Sequence, residues 1–463
     1  MGDFFCVFIL LISWIFLYGV AAMSLFIALS LIIFTYYLFN PLISKASFMV
    51  LIAYSLVLYV SFAQFFYSVP ELEFIRIGHL TPTSVNLHFR LLKSANLQCN
   101  ALRAKAINLK LNPDKSNDYV LFHELRIEPS EYYVCRVYQD DVIKFIAKFK
   151  TPSDERGLFR ISFGSCTKFN FPFGNNEISG FKTILQHQPD ILIFLGDFIY
   201  SDSPMIDPGV SDYESFAKLY RQTINFPETK AIFSTISSYF VFDGILSFHV
   251  DHEIRNDWHK GIEEPYPEAI KANINYVSGT NPSELNYFNF SRHNAGFYVL
   301  DTRTYRSDNT MLGKVQIDHL YSWLDYAKAH YDFIFICSSV PFTANFDINK
   351  ADTFANPNFN IERQSLYDHI NGHQVIILSG DRHEFGAVKL AKNIFEFSVS
   401  PMHQFYIPFY KFVSVDPILS YTEYGNNKVG IFDIDTVKGE AHFQVFINNK
   451  LFYNLTIQSK SNK

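Results

Sequence analysis

Chemically reactive side chains recur at the ends of strand-like apolar runs in this sequence. The Cys, Asp, Tyr, His and Arg residues that follow these runs are Cys166, Asp197, Tyr200, Asp251, His252, Asp301, Arg303, Asp381 and His383. In open α/β sheets, ligands bind in the crevice beyond the carboxyl ends of the strands. Burying so many titratable groups together is costly unless a cation offsets their charge. The pattern therefore predicts a metal site at the edge of a sheet.

Each of these residues, taken alone, also has a purely structural explanation. A Gly-Asp pair after a strand is typical of a turn in which the Asp caps the next helix. A single Cys near a strand end commonly behaves as a small apolar residue. The recurrence of reactive residues at several strand ends, and not any one residue, favours the metal site.

The elements that must position these residues are indicated by hydrophobic periodicity. Largely apolar runs alternate with amphipathic helical stretches from Phe159 onward. The runs are 159–163, 191–195, 298–300, 333–336 and 375–378, and the helices are 181–187, 213–220 and 315–329. Strands buried on both faces and joined by helices are typical of a layered α/β domain. Residues 430–457 return to alternating strands and are expected to extend a sheet.

Residues 72–150 have a different character, with short alternating strands separated by turns. Strands are predicted at 84–90, 106–111 and 132–138, with a turn at 112–118. This spacing favours a small antiparallel sandwich of the immunoglobulin or fibronectin type. Cys99 and Cys135 lie in this region; they form either a disulfide, which requires an oxidising compartment, or two separate buried thiols.

The N-terminal region is apolar enough to cross a membrane. No charged residue occurs between Phe4 and Ser44 or between Ala46 and Pro70. A crossing helix needs about 20 apolar residues, so residues 1–70 are predicted to form three helices (5–20, 21–39 and 47–67) or two, one long and tilted. The run is too long for a cleavable signal peptide. We therefore expect an integral membrane protein.

The predicted orientation places the rest of the chain in the lumen or outside the cell. Lys45 is the one basic residue between the predicted helices. Under the positive-inside rule, this residue is expected to lie in the cytosol. Two glycosylation sequons, at Asn289 and Asn454, agree with that orientation. The expected organisation is a membrane region at 1–70, a β-sandwich at 71–152 and a catalytic domain at 153–463.

The charge pattern argues against a nucleic-acid partner. The net charge is −6, and the chain contains no block of Lys and Arg residues. Proteins that bind nucleic acid carry concentrated positive charge.

Five ordered motifs resemble those of a known family. They are Gly-Ser-Cys166, Gly-Asp197-x-x-Tyr200, Asp251-His252-Glu-x-x-Asn256-Asp, the segment 300–306 with Arg303, and Ser-Gly-Asp381-x-His383. Together they resemble PhoD-type alkaline phosphatases, a branch of the calcineurin-like metallophosphoesterase superfamily, over residues 72–457. The resemblance implies a metal-dependent phosphatase or phosphodiesterase that hydrolyses phosphate esters with a metal-activated water or oxide.

The resemblance also implies a role for each residue. Asp197 would bridge two metal ions, with Cys166 and Tyr200 binding an iron ion. Asp251, Asp381 and His383 would hold the other side, where the family uses calcium. His252 and Arg303 would be the catalytic residues that contact the phosphate, and Asn256 would be a ligand or would support one.

Two departures from the family pattern leave alternatives open. Val250 stands where the family often has an additional Asp, and Arg382 stands where a small apolar residue is more usual. Fewer carboxylates and an added cation would weaken calcium binding. The alternative function is therefore a catalytically silent membrane receptor or scaffold with the same fold. Among enzymes, the alternative to a phosphatase is a phosphodiesterase that acts on a lipid-linked phosphate ester.

Overall fold

The computed structural model describes residues 71–168, 177–201, 212–242, 267–283, 285–343, 353–404, 417–422 and 424–459. In these segments no helix is both long enough and apolar enough to cross a membrane. The predicted membrane helices at residues 1–70 lie outside the described residues, as do Val250, Asp251, His252 and Asn256. The membrane region therefore stays a prediction.

The first part of the described chain is made of β-strands. In order these are β1 (Phe74–Leu80), β2 (Ser84–Arg90), β3 (Ala95–Asn100), β4 (Ile107–Leu111), β5 (Val120–Arg126), β6 (Tyr132–Gln139) and β7 (Val142–Lys150). They form two antiparallel sheets, β1-β2-β5 and β4-β3-β6-β7. Alternate side chains from both sheets share one apolar core, because successive residues of a strand point to opposite faces. The predicted β-rich N-terminal region is confirmed.

A disulfide joins the two cysteines of this core. Cys99 on β3 lies directly opposite Cys135 on β6, and their sulfur atoms are bonded. The alternative of two separate thiols is therefore wrong.

The larger part of the chain contains two mixed sheets. Their strands are β8 (Leu158–Gly164), β9 (Ile191–Phe194), β10 (Ser237–Phe240), β11 (Phe288–Arg292), β12 (Ala295–Val299), β13 (Phe333–Ser338), β14 (Val375–Ser379), β15 (Phe385–Ala391), β16 (Ile394–Val399), β17 (Ile418–Thr422), β18 (Lys428–Asp435), β19 (Glu440–Ile447) and β20 (Lys450–Gln458). The first sheet has the order β10-β9-β8-β18-β19-β20, and the second has the order β11-β12-β13-β14-β16-β15-β17. Residues 428–458 extend the first sheet, as predicted.

In the described segments, six helices cover the outer faces of these two sheets. They are α1 (Ser179–His187), α2 (Tyr213–Ile224), α3 (Pro227–Thr235), α4 (Pro267–Tyr276), α5 (Gly313–His330) and α6 (Asn360–Ile370). One apolar core lies between α1–α4 and the first sheet, a second lies between the sheets, and a third lies between the second sheet and helices α5 and α6. The four layers confirm the predicted layered α/β fold. The boundaries 1–70, 71–152 and 153–463 remain predictions.

The topology determines where a site can form. Strands β8, β9 and β10 are parallel in the first sheet, and β12, β13, β14 and β16 are parallel in the second. Their carboxyl ends therefore lie at one edge of each sheet. The predicted reactive residues that lie in the described part of the chain follow those ends.

Candidate metal centre

Two loops of the first sheet bring Cys166 and Asp197 together. Cys166 follows β8 and Asp197 follows β9, and these strands are parallel neighbours. The backbone joins the loops, since Cys166 N donates to Gly196 O at 3.1 Å and Thr167 N donates to Asp197 O at 3.0 Å. Both side chains are fully buried. The two predicted ligands are thus fixed beside each other by main-chain hydrogen bonds.

Four of the predicted ligands converge on one point. Cys166 Sγ lies 3.4 Å from Asp197 Oδ2, and Tyr200 Oη donates to the same Asp197 oxygen at 3.2 Å. His383 comes from the second sheet, and its Nε2 lies 3.3 Å from Tyr200 Oη. Ligand atoms of Cys166, Asp197 and His383 all lie within 4.8 Å of one another. The structure therefore places thiol, carboxylate, phenol and imidazole groups at the carboxyl edges of both sheets.

The backbone at these positions has an uncommon conformation. Cys166, Asp197, Asp381 and His383 have φ values of 64°, 59°, 70° and 55°. This left-handed region is unusual for residues other than glycine. Such residues cluster at functional sites, where the surrounding structure holds them in place. The four positions share this conformation, which the chain also adopts in hairpin turns such as Asp140–Asp141 and Asn448–Asn449.

Three buried residues that the sequence did not single out hold the loop 380–383. Ser165 Oγ accepts a hydrogen bond from Asp381 N at 3.0 Å, and Ser400 Oγ accepts one from His383 N at 2.6 Å. Lys428 Nζ donates to His383 O at 3.3 Å. Ser165 belongs to the motif Gly-Ser-Cys166, so position in a motif was the available signal for this residue. Ser400 had no such signal in the sequence.

Burial and negative charge raise two pKa values at the site. The pKa of the Cys166 thiol is well above its ordinary value, first because of burial and then because of the Asp197 carboxylate. Burial, followed by the charges of Asp197 and Cys166, also raises the pKa of Tyr200 well above its ordinary value. Such groups ionise when a cation binds among them. The donors present fit a metal ion, and thiolate, imidazole and phenolate ligands suit a transition metal.

Asp381 makes different side-chain contacts from the four residues that converge. Its main-chain O lies 3.9 Å from Cys166 Sγ, whereas its carboxylate Oδ2 lies 3.6 Å from Arg382 Nε. Both side chains of this ion pair are buried. Arg382, one of the two departures from the family pattern, therefore contacts a predicted metal ligand.

Arg303 lies at the same edge of the second sheet. It follows β12, which is two strands from β14, a separation of about 10 Å. Asp301 Oδ1 accepts hydrogen bonds from Arg303 N and Thr304 N, both at 2.9 Å, and Gln316 bonds to the backbone of Asp301. These bonds fix the turn that carries Arg303. The roles predicted for Asp251, His252 and Asn256 lie outside the described residues.

Comparison with known proteins identifies a family and a similar fold. A family model described as PhoD-like phosphatase matches residues 161–415. The solved structure of PhoD is similar with a TM-score of 0.64 and 16% sequence identity, over 83% of this chain and 88% of that chain. GAP50, described as the anchor in the inner membrane complex of Plasmodium, has a TM-score of 0.43 and 13% identity, over 66% of this chain and 91% of its own. A dimetal phosphatase from Danio rerio has a TM-score of 0.38 and 9% identity, over 66% of this chain and 100% of its own. No curated protein matches the sequence.

Proposed function

This chain belongs to the PhoD-like phosphatase family, and on that premise we propose that it hydrolyses phosphate esters with bound metal ions. The observation that carries the proposal is the convergence of Cys166, Asp197, Tyr200 and His383 at the edges of the two sheets. A buried cluster of acidic donors is expensive to maintain without a cation. A site for metal ions explains why the fold holds these groups together.

Some residues of the site would bind the metal ions, and others would contact and orient the phosphate. Metal ions held there would offset the charge of the phosphate oxygens and would make a water molecule nucleophilic at neutral pH. Cys166 and Tyr200 would bind as thiolate and phenolate, so binding would release their protons. Arg303, fixed by the turn at Asp301, would contact the phosphate together with His252. Charge stabilisation and positioning dominate phosphoryl transfer, and these are the roles available here.

We propose iron for the position bound by Cys166 and Tyr200, and calcium for the position bound by Asp251, Asp381 and His383. Thiolate and phenolate suit a transition metal, whereas carboxylate oxygens suit a hard cation. The Arg382–Asp381 ion pair lowers the negative charge available to calcium. Metal analysis of the purified protein tests both assignments, and iron without calcium would contradict the second.

Substitution of Asp197 tests the catalytic proposal. Asp197→Ala removes a carboxylate that contacts both Cys166 and Tyr200. We expect turnover of an aryl phosphate to fall by a factor of about 100 or more, because ligand loss removes the charge stabilisation of the transition state. Asp318→Ala is the matched control, since Asp318 lies on the exposed face of α5. Equal turnover in both variants would contradict the proposal.

The preferred ester is a separate question within the same proposal. A membrane-anchored enzyme would meet lipid-linked phosphodiesters, and the predicted helices at residues 1–70 favour such a substrate. Turnover of matched mono- and diesters of one aryl alcohol distinguishes a phosphatase from a phosphodiesterase. Faster diester turnover would favour a lipid-linked substrate.

A catalytically silent membrane receptor or scaffold is the second candidate function. The buried ion pair between Arg382 and Asp381 favours it, because this pair occupies a predicted ligand. A silent scaffold would carry no stoichiometric transition metal and would not hydrolyse either ester. Metal content and turnover measured on one sample distinguish the two functions.

We propose that the catalytic domain lies in the lumen or outside the cell. The Cys99–Cys135 disulfide supports an oxidising compartment. Asn454, on the outermost strand β20, is exposed and accessible to glycosylation, whereas Asn289 on β11 is half-buried. A glycosidase shift that Asn454→Gln abolishes is expected. Protease accessibility from the cytosolic side of intact vesicles would contradict this orientation.

A further inference from the structure

The outer face of the sheet β4-β3-β6-β7 is basic. The inner face of this sheet packs against β1-β2-β5, so the alternate residues of each strand point away from the core. The outward residues, which define the basic sheet face, are Asn96, Gln98, Asn100, Asn108, Lys110, Tyr132, Val134, Arg136, Tyr138, Ile143, Ile146, Lys148 and Lys150. The face therefore carries positive charge from three of its four strands.

Negative charge is missing from this fully described sheet face. No Asp or Glu is among its residues, although the chain as a whole has a net charge of −6. Lys110, Arg136, Lys148 and Lys150 form no ion pair with a described residue. A positive surface without internal partners attracts an anionic one.

Large apolar side chains are exposed among these cations. Tyr132 is 54% exposed, Ile143 is 44% exposed and Ile146 is 39% exposed. At one end of the sheet, the loop between β3 and β4 adds the exposed Leu102. Aromatic and aliphatic groups interspersed with Lys and Arg are typical of surfaces that lie in the headgroup region of a bilayer.

The start of the described chain lies beside this sheet. Glu73 Oε1 accepts hydrogen bonds from Leu92 N at 2.7 Å and from Gln139 Nε2 at 3.0 Å. Gln139 ends β6, at the hairpin that leads to β7. The uncharged stretch that is predicted to cross the membrane ends at Pro70, three residues before Glu73. A tether of this length keeps the β6–β7 hairpin close to the bilayer.

We propose that the basic sheet face rests on the anionic headgroups of the bilayer that residues 1–70 are predicted to enter. The cations contact lipid phosphates, and Tyr132, Ile143 and Ile146 lie among the headgroups. Asp140 and Asp141 are confined to the hairpin turn, beyond the face itself. The leaflet is the one on the side of the catalytic domain. This inference is independent of phosphate-ester hydrolysis.

Lysine labelling of the full chain in lipid nanodiscs tests the proposal. We compare acetylation rates, read by mass spectrometry, in phosphatidylcholine and in phosphatidylcholine with phosphatidylglycerol. Anionic lipid is expected to slow labelling of Lys148 and Lys150 about fivefold, and added salt to restore it, because the attraction is electrostatic. Lys314, with 85% of its side chain exposed on α5, is the internal reference.

A charge-reversed variant makes the test specific to this face. Lys148→Glu/Lys150→Glu should abolish the lipid-dependent protection of Lys110, which shares the face. Lys392→Glu/Lys438→Glu, at two exposed positions, makes the same change in net charge elsewhere, keeps Lys314 as the reference and should leave that protection intact. Aryl phosphate turnover in detergent should be the same in both variants.

Three results would overturn the proposal. The first is equal labelling of Lys148 and Lys150 in the two lipid compositions. The second is slow acetylation of Lys148 and Lys150 that persists in detergent, because a second protein copy, and not lipid, would then cover the face. The third is protection of Lys110 that survives the charge reversal.

Discussion

At the scale of single residues, the site combines buried charge with an uncommon backbone conformation. Cys166, Asp197, Asp381 and His383 all have left-handed backbone. Each such position costs on the order of 1–3 kcal/mol, which the surrounding hydrogen bonds must offset. Residue type and order along the chain predicted these four positions, but no sequence pattern specifies left-handed backbone at Cys or His. That part of the site depends on tertiary contacts such as Ser400 Oγ to His383 N.

Gly380 provides a test of how closely the two sheets approach at the site. A Cβ at this position would lie 2.5 Å from Ser165 Oγ and 3.0 Å from Leu195 O. Gly380→Ala would therefore displace Ser165, which accepts the hydrogen bond from Asp381 N. We expect a loss of about 2 kcal/mol in the free energy of unfolding. Metal content should fall as well. Denaturant unfolding measures the change in stability, and metal analysis measures the metal content.

Gly386→Ala is the matched control for this substitution. Among the described residues, apart from its chain neighbours, no heavy atom lies within 4 Å of a Cβ built at Gly386, which is on β15 in the same sheet. This variant should keep the stability and the metal content of the wild type. Equal effects of the two substitutions would show that the close approach at Gly380 is unimportant.

At the scale of elements, Asp118 joins the β-rich region to the helices of the first sheet. It lies in the turn before β5, and its carboxylate accepts hydrogen bonds from Arg90 at 2.7 Å, Arg221 at 3.3 Å and Tyr213 at 3.1 Å, and a further one from Tyr276. Arg221 and Tyr213 belong to α2, and Tyr276 ends α4. Burial alone would raise the pKa of Asp118, but the bonds from Arg90 and Tyr276 lower it below its ordinary value.

Asp118→Asn should destabilise the contact between these elements. The substitution tolerates the left-handed backbone at this position, yet it leaves Arg90 and Arg221 buried without the Asp118 carboxylate. We expect the thermal midpoint to fall by about 5 °C at pH 7. Because folding lowers this pKa, the contribution of the carboxylate is full above the unfolded value of about 4 and is lost as the pH falls through the folded value. The gap between wild type and variant should therefore close in acid.

The acid dependence separates this explanation from a general loss of packing. Asp318→Asn removes an exposed carboxylate paired with Lys314 and should change the midpoint by less than about 1 °C. A gap between wild type and Asp118→Asn that stays constant as the pH falls from 7 to about 2, below the unfolded pKa of about 4, would contradict the electrostatic explanation.

At the scale of the whole molecule, hydrophobic periodicity predicted the layers of the fold more completely than it predicted the individual strands within each layer. The buried runs at 191–195, 333–336 and 375–378 were recognisable because strands buried on both faces are uniformly apolar. Strands β15 to β17 were not predicted, since glycine, lysine and serine interrupt their apolar pattern. The pairing of β18 with β8 brings the C-terminal region against the start of the larger domain, a long-range contact that local patterns do not encode.

The proposed metal site lies where the two central sheets meet, so metal removal should weaken both sheets. Cys166 and Asp197 follow strands of the first sheet, whereas His383 follows a strand of the second. A ligand that binds only the folded state stabilises it by about 3–4 kcal/mol at 100 to 1,000 times its dissociation constant. Chelation should therefore lower the thermal midpoint and increase hydrogen exchange in both β9 and β14. Cys166→Ala/His383→Ala should be insensitive to the chelator, because it lacks ligands from both sheets. A chelator effect of the same size in that variant, or exchange that increases in one sheet alone, would contradict a metal that links the two.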